Sequence, residues 1–361
     1  MDGSLVERFS VIEDPRKGRV EHDLVEMLVI VTCALLSEVE TFVDIAEWAR
    51  HKETWLRRFL KLENGLPSHD TLNRLFRLLD PKVFETVFQT WVGGVLGAFG
   101  QVAIDGKSLR GARRKSAVHL VSAFATELGM VLAQKGVADK GNELAAIPEL
   151  LSALELRGCL VSLDALGCQR DIARQIRDRD ADYLLSVKGN QPTLHQALQN
   201  AFTDAPVADA HLQQWRGHGR VTAQMAHVIA NTELVDTQNW PDCRTLARII
   251  SWRSEGGKAA TPEVRYYISS ASLSSDELTT AVRRHWAIEN DLHWRLDVTF
   301  REDACTVRRD HAPENLSIIR RLILNHLKQD TTHPKHSLRL RRKMAAWDDD
   351  ERARLLGMLT I

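Results

Sequence analysis

The stretch Leu160-Val161-Ser162-Leu163-Asp164-Ala165-Leu166-Gly167-Cys168-Gln169 decides how this chain is read. Cys159 to Leu163 is a short apolar run, the pattern of a buried strand, and it stops at a carboxylate. A carboxylate at the tip of a buried strand is costly unless something positive stands beside it. Gln169 to Arg179 then has helical character. Two more acids close apolar stretches elsewhere. Asp105 ends Val102-Ala103-Ile104 and opens Asp105-Gly106-Lys107-Ser108, and Glu289 sits in Arg284-His285-Trp286-Ala287-Ile288-Glu289-Asn290. Taken singly, each has a plainer reading: an Asp after a strand caps a turn, and a Glu on a helix faces solvent. Together, three acids from distant parts of the chain point to one site for hard divalent cations, which prefer oxygen ligands.

Working outward, the texture predicts the elements. His119 to Thr126 and Met130 to Ala138 flank Glu127-Leu128-Gly129 and read as a hairpin. Glu143 to Leu156 is an amphipathic helix, Tyr183 to Val187 a strand, and Pro192 to Phe202 a helix. Strand, hairpin, helix, strand, helix, strand, helix implies an α/β fold, a mixed sheet with helices on its faces. Val221 to Val228, Thr245 to Trp252 and Val264 to Ile268 read as strands of a small β-rich insertion. From Ser274-Ser275-Asp276-Glu277 a capped helix runs through Glu289 and Trp294, and Pro313 to Lys328 forms another. Ahead of all this, residues 1 to about 95 read as helical: His22 to Val39, Thr41 to Arg50, Glu53 to Leu62, a helix capped by Ser68, and Val83 to Leu96.

The expected organisation is a helical N-terminal domain over 1–97, a core in two parts (98–204 and 273–330), the β-rich insertion over 205–272, and a basic tail over 331–361. At 361 residues and 44% hydrophobic content the chain buries a real core and is not disordered. Its 48 basic and 48 acidic residues balance. That excludes a uniformly basic coat but not local basic surfaces. Residues 301 to 345 hold eleven Lys or Arg against five Asp or Glu, and Gly106 to Lys115 holds five basic residues and no acid. The five cysteines form no C-x-x-C pair, which argues against structural zinc and for reduced thiols. Leu24 to Leu36 is too short to span a bilayer. The start Met1-Asp2-Gly3-Ser4 lacks a secretory signal, so a cytoplasmic, nucleoid-associated protein is expected, with no membrane partner.

Four motifs in order carry a resemblance: Ala103-Ile104-Asp105-Gly106-Lys107; Leu163-Asp164-Ala165-Leu166-Gly167-Cys168-Gln169; Leu185-Ser186-Val187-Lys188-Gly189-Asn190-Gln191-Pro192; and His285-Trp286-Ala287-Ile288-Glu289-Asn290-Asp291-Leu292-His293-Trp294-Arg295-Leu296-Asp297-Val298. They resemble the DDE transposases of the IS-As type, the group with the H-repeat-associated proteins. The resemblance covers most of the chain. It implies a ribonuclease H-like catalytic core, interrupted by β-strands between the second and third acids. It implies that Asp105, Asp164 and Glu289 are catalytic and hold two Mg²⁺ or Mn²⁺ ions, with Asp105 bridging both. Such a pair of ions, about 4 Å apart, meets the charge that develops on the oxygens of an in-line displacement at phosphorus. It further implies that the chain cleaves DNA at terminal inverted repeats and transfers the strand to target DNA, as a dimer on paired ends. A structure-specific nuclease or a catalytically inactive relic of the same fold are the competing readings. The chain departs from the wider group in one place: His285 and Leu296 stand where that group has Arg and Lys. Asp297, then Glu302 and Asp303, are rivals for the third acid.

Candidate DNA contacts follow from charge. Lys107 and Arg110 come directly after Asp105, although a solvated loop reads as well. Lys188 and Asn190 lie past a strand edge, where a turn reads as well. Arg284, His285 and Arg295 flank Glu289. Arg341 and Arg342 lie in the basic helix of the tail, which competes with a merely solubilising face. Ser68 to Leu79 has helix-turn-helix spacing, with packing or dimerisation as the alternative. Trp215, Trp240 and Trp252 are either core or stacking surfaces for a base. No G-x-x-x-x-G-K-[ST] loop is present, so no nucleotide triphosphate is expected.

Overall fold

The computed structural model describes residues 5–93, 100–109, 118–137, 140–204, 209–217, 220–231, 234–236, 238–255 and 261–358. Arg110 and the basic residues that follow it lie outside these. The first part is helical: Leu5–Phe9, Leu24–Leu36, Phe42–His51, Glu53–Leu56, His69–Leu78 and Pro81–Gly93. Leu24–Leu36 is apolar nearly all round and is buried all round, which is the fate of such a helix. Asp23, Thr41 and Ser68 cap the helices after them by accepting a backbone N–H three residues on. The helix expected over Glu53 to Leu62 stops at Leu56. The chain then turns so that Leu60 and Leu62 enter the core, and Leu62 N donates to Glu26 Oε1 at 2.8 Å.

Nine strands build one sheet. They are β1 (Gln101–Ser108), β2 (His119–Ala125), β3 (Met130–Val137), β4 (Leu160–Leu163), β5 (Asp182–Val187), β6 (Asp209–Gly217), β7 (Arg220–Ala230), β8 (Thr245–Glu255) and β9 (Thr261–Ser269). Their spatial order is β3-β2-β1-β4-β5-β9-β8-β7-β6. β1, β4 and β5 run parallel, and the other pairs are antiparallel. The first five strands form the ribonuclease H-like mixed sheet. The β-rich insertion continues that sheet, because β9 pairs along β5. β6 was not legible in the sequence: its inward-facing residues Asp209, His211, Gln213 and Trp215 are only half-buried and mostly polar, so no apolar alternation marks it.

Two helices position the core. Ser275–Ile288 opens with a complete capping box between Ser274 and Glu277 and lies across β1 and β4. Ala312–Gln329 packs between β3 and the N-terminal helices. Its Asn325 exchanges two hydrogen bonds with Val131 of the edge strand β3, at 2.9 and 2.8 Å. Glu85 and Glu314 accept from Gln134 N and Gly136 N further along the same edge. The unpaired strand edge is thereby covered. All five cysteines are free, and four are buried. Among the described residues no helix is long and apolar enough to cross a membrane.

Candidate functional site

The register of two parallel strands sets the site. Ile104 of β1 lies opposite Leu163 of β4, so the next residues, Asp105 and Asp164, come side by side where β4 ends. β1 does not end there: it runs on to Ser108, because β2 continues to pair with it, Asp105 opposite Ser122. Asp164 opens a turn, its Oδ1 accepting from Leu166 N (3.0 Å) and Gly167 N (3.2 Å). The plain capping role is therefore real and occupies one carboxylate oxygen.

The third acid arrives from the helix above. Gln101 Nε2 donates to Ala281 O and to Ser162 Oγ, both at 2.9 Å, and His285 Nδ1 lies 3.1 Å from Ser162 Oγ. These bonds fix the rotation of Ser275–Ile288 over β1 and β4. Glu289, one turn past His285, then opens into the same cavity of about 580 Å³ as Asp105 and Asp164. Burial pushes the Asp105 carboxyl up to about 7, and the nearby Asp164, Glu289 and Glu143 carboxylates push the same way. Among the described residues, no three acidic, histidine or cysteine side chains are drawn together tightly enough to form a ready-made metal site. The donor chemistry nevertheless suits a hard cation: Asp105, Asp164 and Glu289 line one cavity, which Asp297 and Asp303 also border.

Around Asp105 the packing is tight. A Cβ at Gly106 would lie 2.5 Å from the ends of the Glu143 and His119 side chains, which touch each other. His119 Nδ1 lies 2.8 Å from Ser108 Oγ. His293 Nδ1 stands 3.7 Å from Asp105 Oδ2, and burial, with Arg321 and Lys107 nearby, pulls its pKa down to about 3, leaving it neutral. None of these neighbours carried a signal in the sequence, because each is set by cross-strand or helix-to-strand contact.

Several of the residues expected to contact DNA are buried or engaged within the protein. Lys107, with a side chain only 8% exposed, faces Asp297 (2.7 Å), Asp303 (3.1 Å) and Glu302 (3.4 Å). Burial pulls its ammonium down, but these acids more than offset this and hold it above its ordinary value. The rivals for the third acid are thus partners of Lys107. Arg341 donates to the carbonyls of Leu327 (3.0 Å) and Asp330 (2.7 Å), closing the end of a helix. Arg342 is buried among Leu35 O, Thr299 O and Glu40. His285 is buried and neutral, its pKa pulled down to about 4 mainly by that burial. Both guanidiniums are thus bonded to groups of the protein itself. Asn190 Nδ2 donates to Ala165 O at 2.6 Å, steadying the Asp164 turn.

Lys188, Arg284 and Arg295 keep some exposure. Arg284 pairs with Glu127 (2.6 Å) and Arg295 with Asp291 (2.8 Å). In the Ser68 to Leu79 region, Arg74 is exposed and Arg77 is held by Asp310 at 2.6 Å. Trp240 is core, Trp252 is partly buried, and Trp215 carries Arg283 over its ring at 4.9 Å.

The chain is similar in sequence to known proteins. Residues 96–326 match the model of the transposase DDE domain, and residues 6–92 match the DDE_Tnp_1-associated model. The H repeat-associated putative transposase YhhI of Escherichia coli (strain K12) is 37% identical, over 98% of this chain and 97% of its own. The putative transposase YncI of Escherichia coli O157:H7 is 38% identical, over 95% and 92%. A piggyBac transposase in a synaptic complex with hairpin DNA aligns over 98% of this chain and 76% of its own, at a TM-score of 0.49 and 12% identity, too distant to bear on function. With a DDE-domain match over most of its length and relatives aligned almost end to end, the chain belongs to the DDE transposase family.

Proposed function

We propose that the protein cuts the DNA ends of its own insertion sequence and joins them to target DNA, with Asp105, Asp164 and Glu289 as the catalytic acids. The observation that carries this reading is the opening of these three carboxylates, from two parallel strands and a crossing helix, into one cavity. The same acids would hold Mg²⁺ or Mn²⁺. Bound there, the ions supply positive charge to the phosphate and to the attacking and leaving oxygens. The chain's own contribution is placement. β1 and β4 hold two acids at fixed register, and the Ser162–His285 contact fixes the helix that brings the third. The pKa of Asp105 is raised chiefly by burial, the neighbouring acids push it the same way, and a bound cation would oppose both. Lys188, Arg284 and Arg295 are the proposed phosphate contacts. Two copies would pair two ends.

The test is strand transfer on DNA carrying the terminal inverted repeats that flank the gene, in Mg²⁺ or Mn²⁺. We expect cleavage and joining, lost in EDTA and lost in Asp105→Asn, which should still bind the ends. Full activity in Asp105→Asn would remove that residue from the site, and cleavage in EDTA would rule out the cation role. End binding without cleavage would mark an inactive relic. Cleavage without end preference would mark a nuclease.

A further inference from the structure

Trp294 is 55% exposed, although it borders the same cavity as the three acids. A single exposed apolar residue is ordinary. The backbone beneath this one is not. The helix Ser275–Ile288 gives way at Glu289–His293 to one π turn, and α geometry resumes over Trp294–Val298. Trp294 N donates to Glu289 O, five residues back.

The π turn has a geometric consequence. In an α-helix, at 3.6 residues per turn, residues five apart lie roughly 140° apart around the axis. An i→i+5 bond makes five residues do what four do in an α-helix. The extra residue swings Trp294 toward the side of Glu289, and both border one cavity. Single π turns inside helices are rare and concentrate at functional sites. Val298, 47% exposed, follows four residues later on the same side and extends the apolar edge.

The neighbouring tryptophans are engaged differently. Trp286, also on the cavity, carries the Arg265 guanidinium over its ring at 4.9 Å. Among the described residues, no cation or ring stacks on Trp294. A cavity walled by carboxylates attracts no phosphate by itself. A flat aromatic edge beside it engages the uncharged part of a nucleotide, and every base has a face to stack.

We infer that Trp294 stacks on a nucleobase next to the phosphate handled by Asp105, Asp164 and Glu289, and so places that phosphate. This rests on the transposase reading above.

The test uses the full chain and the terminal-repeat duplex with 2-aminopurine beside the cleavage point. In EDTA, wild-type protein and Asp105→Asn should both quench the probe, and Trp294→Ala should not. In Mg²⁺, Trp294→Ala should cleave at least about tenfold more slowly at saturating DNA, the order expected for one lost stacking contact. Trp294→Phe should stay within about threefold of wild type. An unchanged thermal midpoint in both variants excludes misfolding as the cause. If the wild type cleaves and Trp294→Ala quenches and cleaves equally well, the stacking role falls and the transposase reading stands. If Trp294→Phe fails as badly as Trp294→Ala, stacking is again overturned. If the wild type neither binds nor cleaves the duplex, both readings fall.

Discussion

Lys107 Nζ stands 2.7 Å from Asp297 Oδ1. Lys107 lies two residues beyond Asp105 on β1, and Asp297 lies on the helical segment beyond Glu289. The pair ties the strand of one candidate acid to the helix of another. Glu302 and Asp303 close on the same ammonium, and Arg321 meets Glu302 from behind at 3.1 Å. Lys107 is thus a largely buried clamp that borders the cavity of the three acids.

Lys107→Met should therefore act on stability. Removing one partner of a buried ion pair costs about 3–5 kcal/mol, because the other charges stay behind. The urea midpoint should fall accordingly. The salt dependence of DNA binding should keep its slope, whereas loss of a phosphate-contacting lysine would reduce it by about one. A reduced slope with normal stability would return Lys107 to the DNA surface.

Gly106→Ala should disturb the site from beneath. Its Cβ would press into the Glu143 and His119 side chains, and overpacking of this kind costs about 1–3 kcal/mol. The thermal midpoint should drop, and cleavage should fall by more than about tenfold because the backbone beside Asp105 shifts. End binding should survive. Wild-type cleavage in this variant would show that the His119–Glu143 pair yields freely.

Glu85 gives a pH test away from the cavity. Burial pushes its carboxyl up from 4.5 to about 8. The folded state thus holds a proton that the unfolded state has released between those pH values. The stabilisation is complete below pH 4.5 and is lost as pH rises through 8. Glu85→Gln keeps an acceptor for Gln134 N and has no proton to lose. Its stability relative to wild type should climb between about pH 5 and pH 9, by urea midpoint at each pH. A difference that does not change with pH would place an ionised Glu85 in the folded protein at neutral pH.

The tail offers a contrast between two arginines of one helix. Arg342 is buried against backbone carbonyls and Glu40, with Phe300 under its guanidinium at 4.3 Å, whereas Arg339 is exposed. Arg342→Met should destabilise by about 3 kcal/mol or more. Arg339→Ala should change stability by no more than about 0.5 kcal/mol. Equal effects on folding, with a large loss of DNA affinity for Arg342→Met, would reverse this assignment.

Much of the framework was legible because local chemistry dictates it. The apolar runs ending at Asp105 and Asp164, the hairpin around Glu127-Leu128-Gly129 and the capped start at Ser274 are all signals carried within a few residues. β6 was not legible, since the half-buried face of this edge strand is mostly polar. The π turn at Glu289–His293 was not legible either: nothing in Glu289-Asn290-Asp291-Leu292-His293 sets it apart from an ordinary helix.

The sequence by itself determined that three acids close or follow apolar elements in an order resembling that of a transposase. The tertiary structure alone decided that β1 and β4 lie parallel in the register that pairs Asp105 with Asp164, and which basic residues are free. The reason is physical. A strand or cap forms from neighbours in the chain, but whether Lys107 or Arg342 meets water or a buried carboxylate depends on segments up to hundreds of residues away.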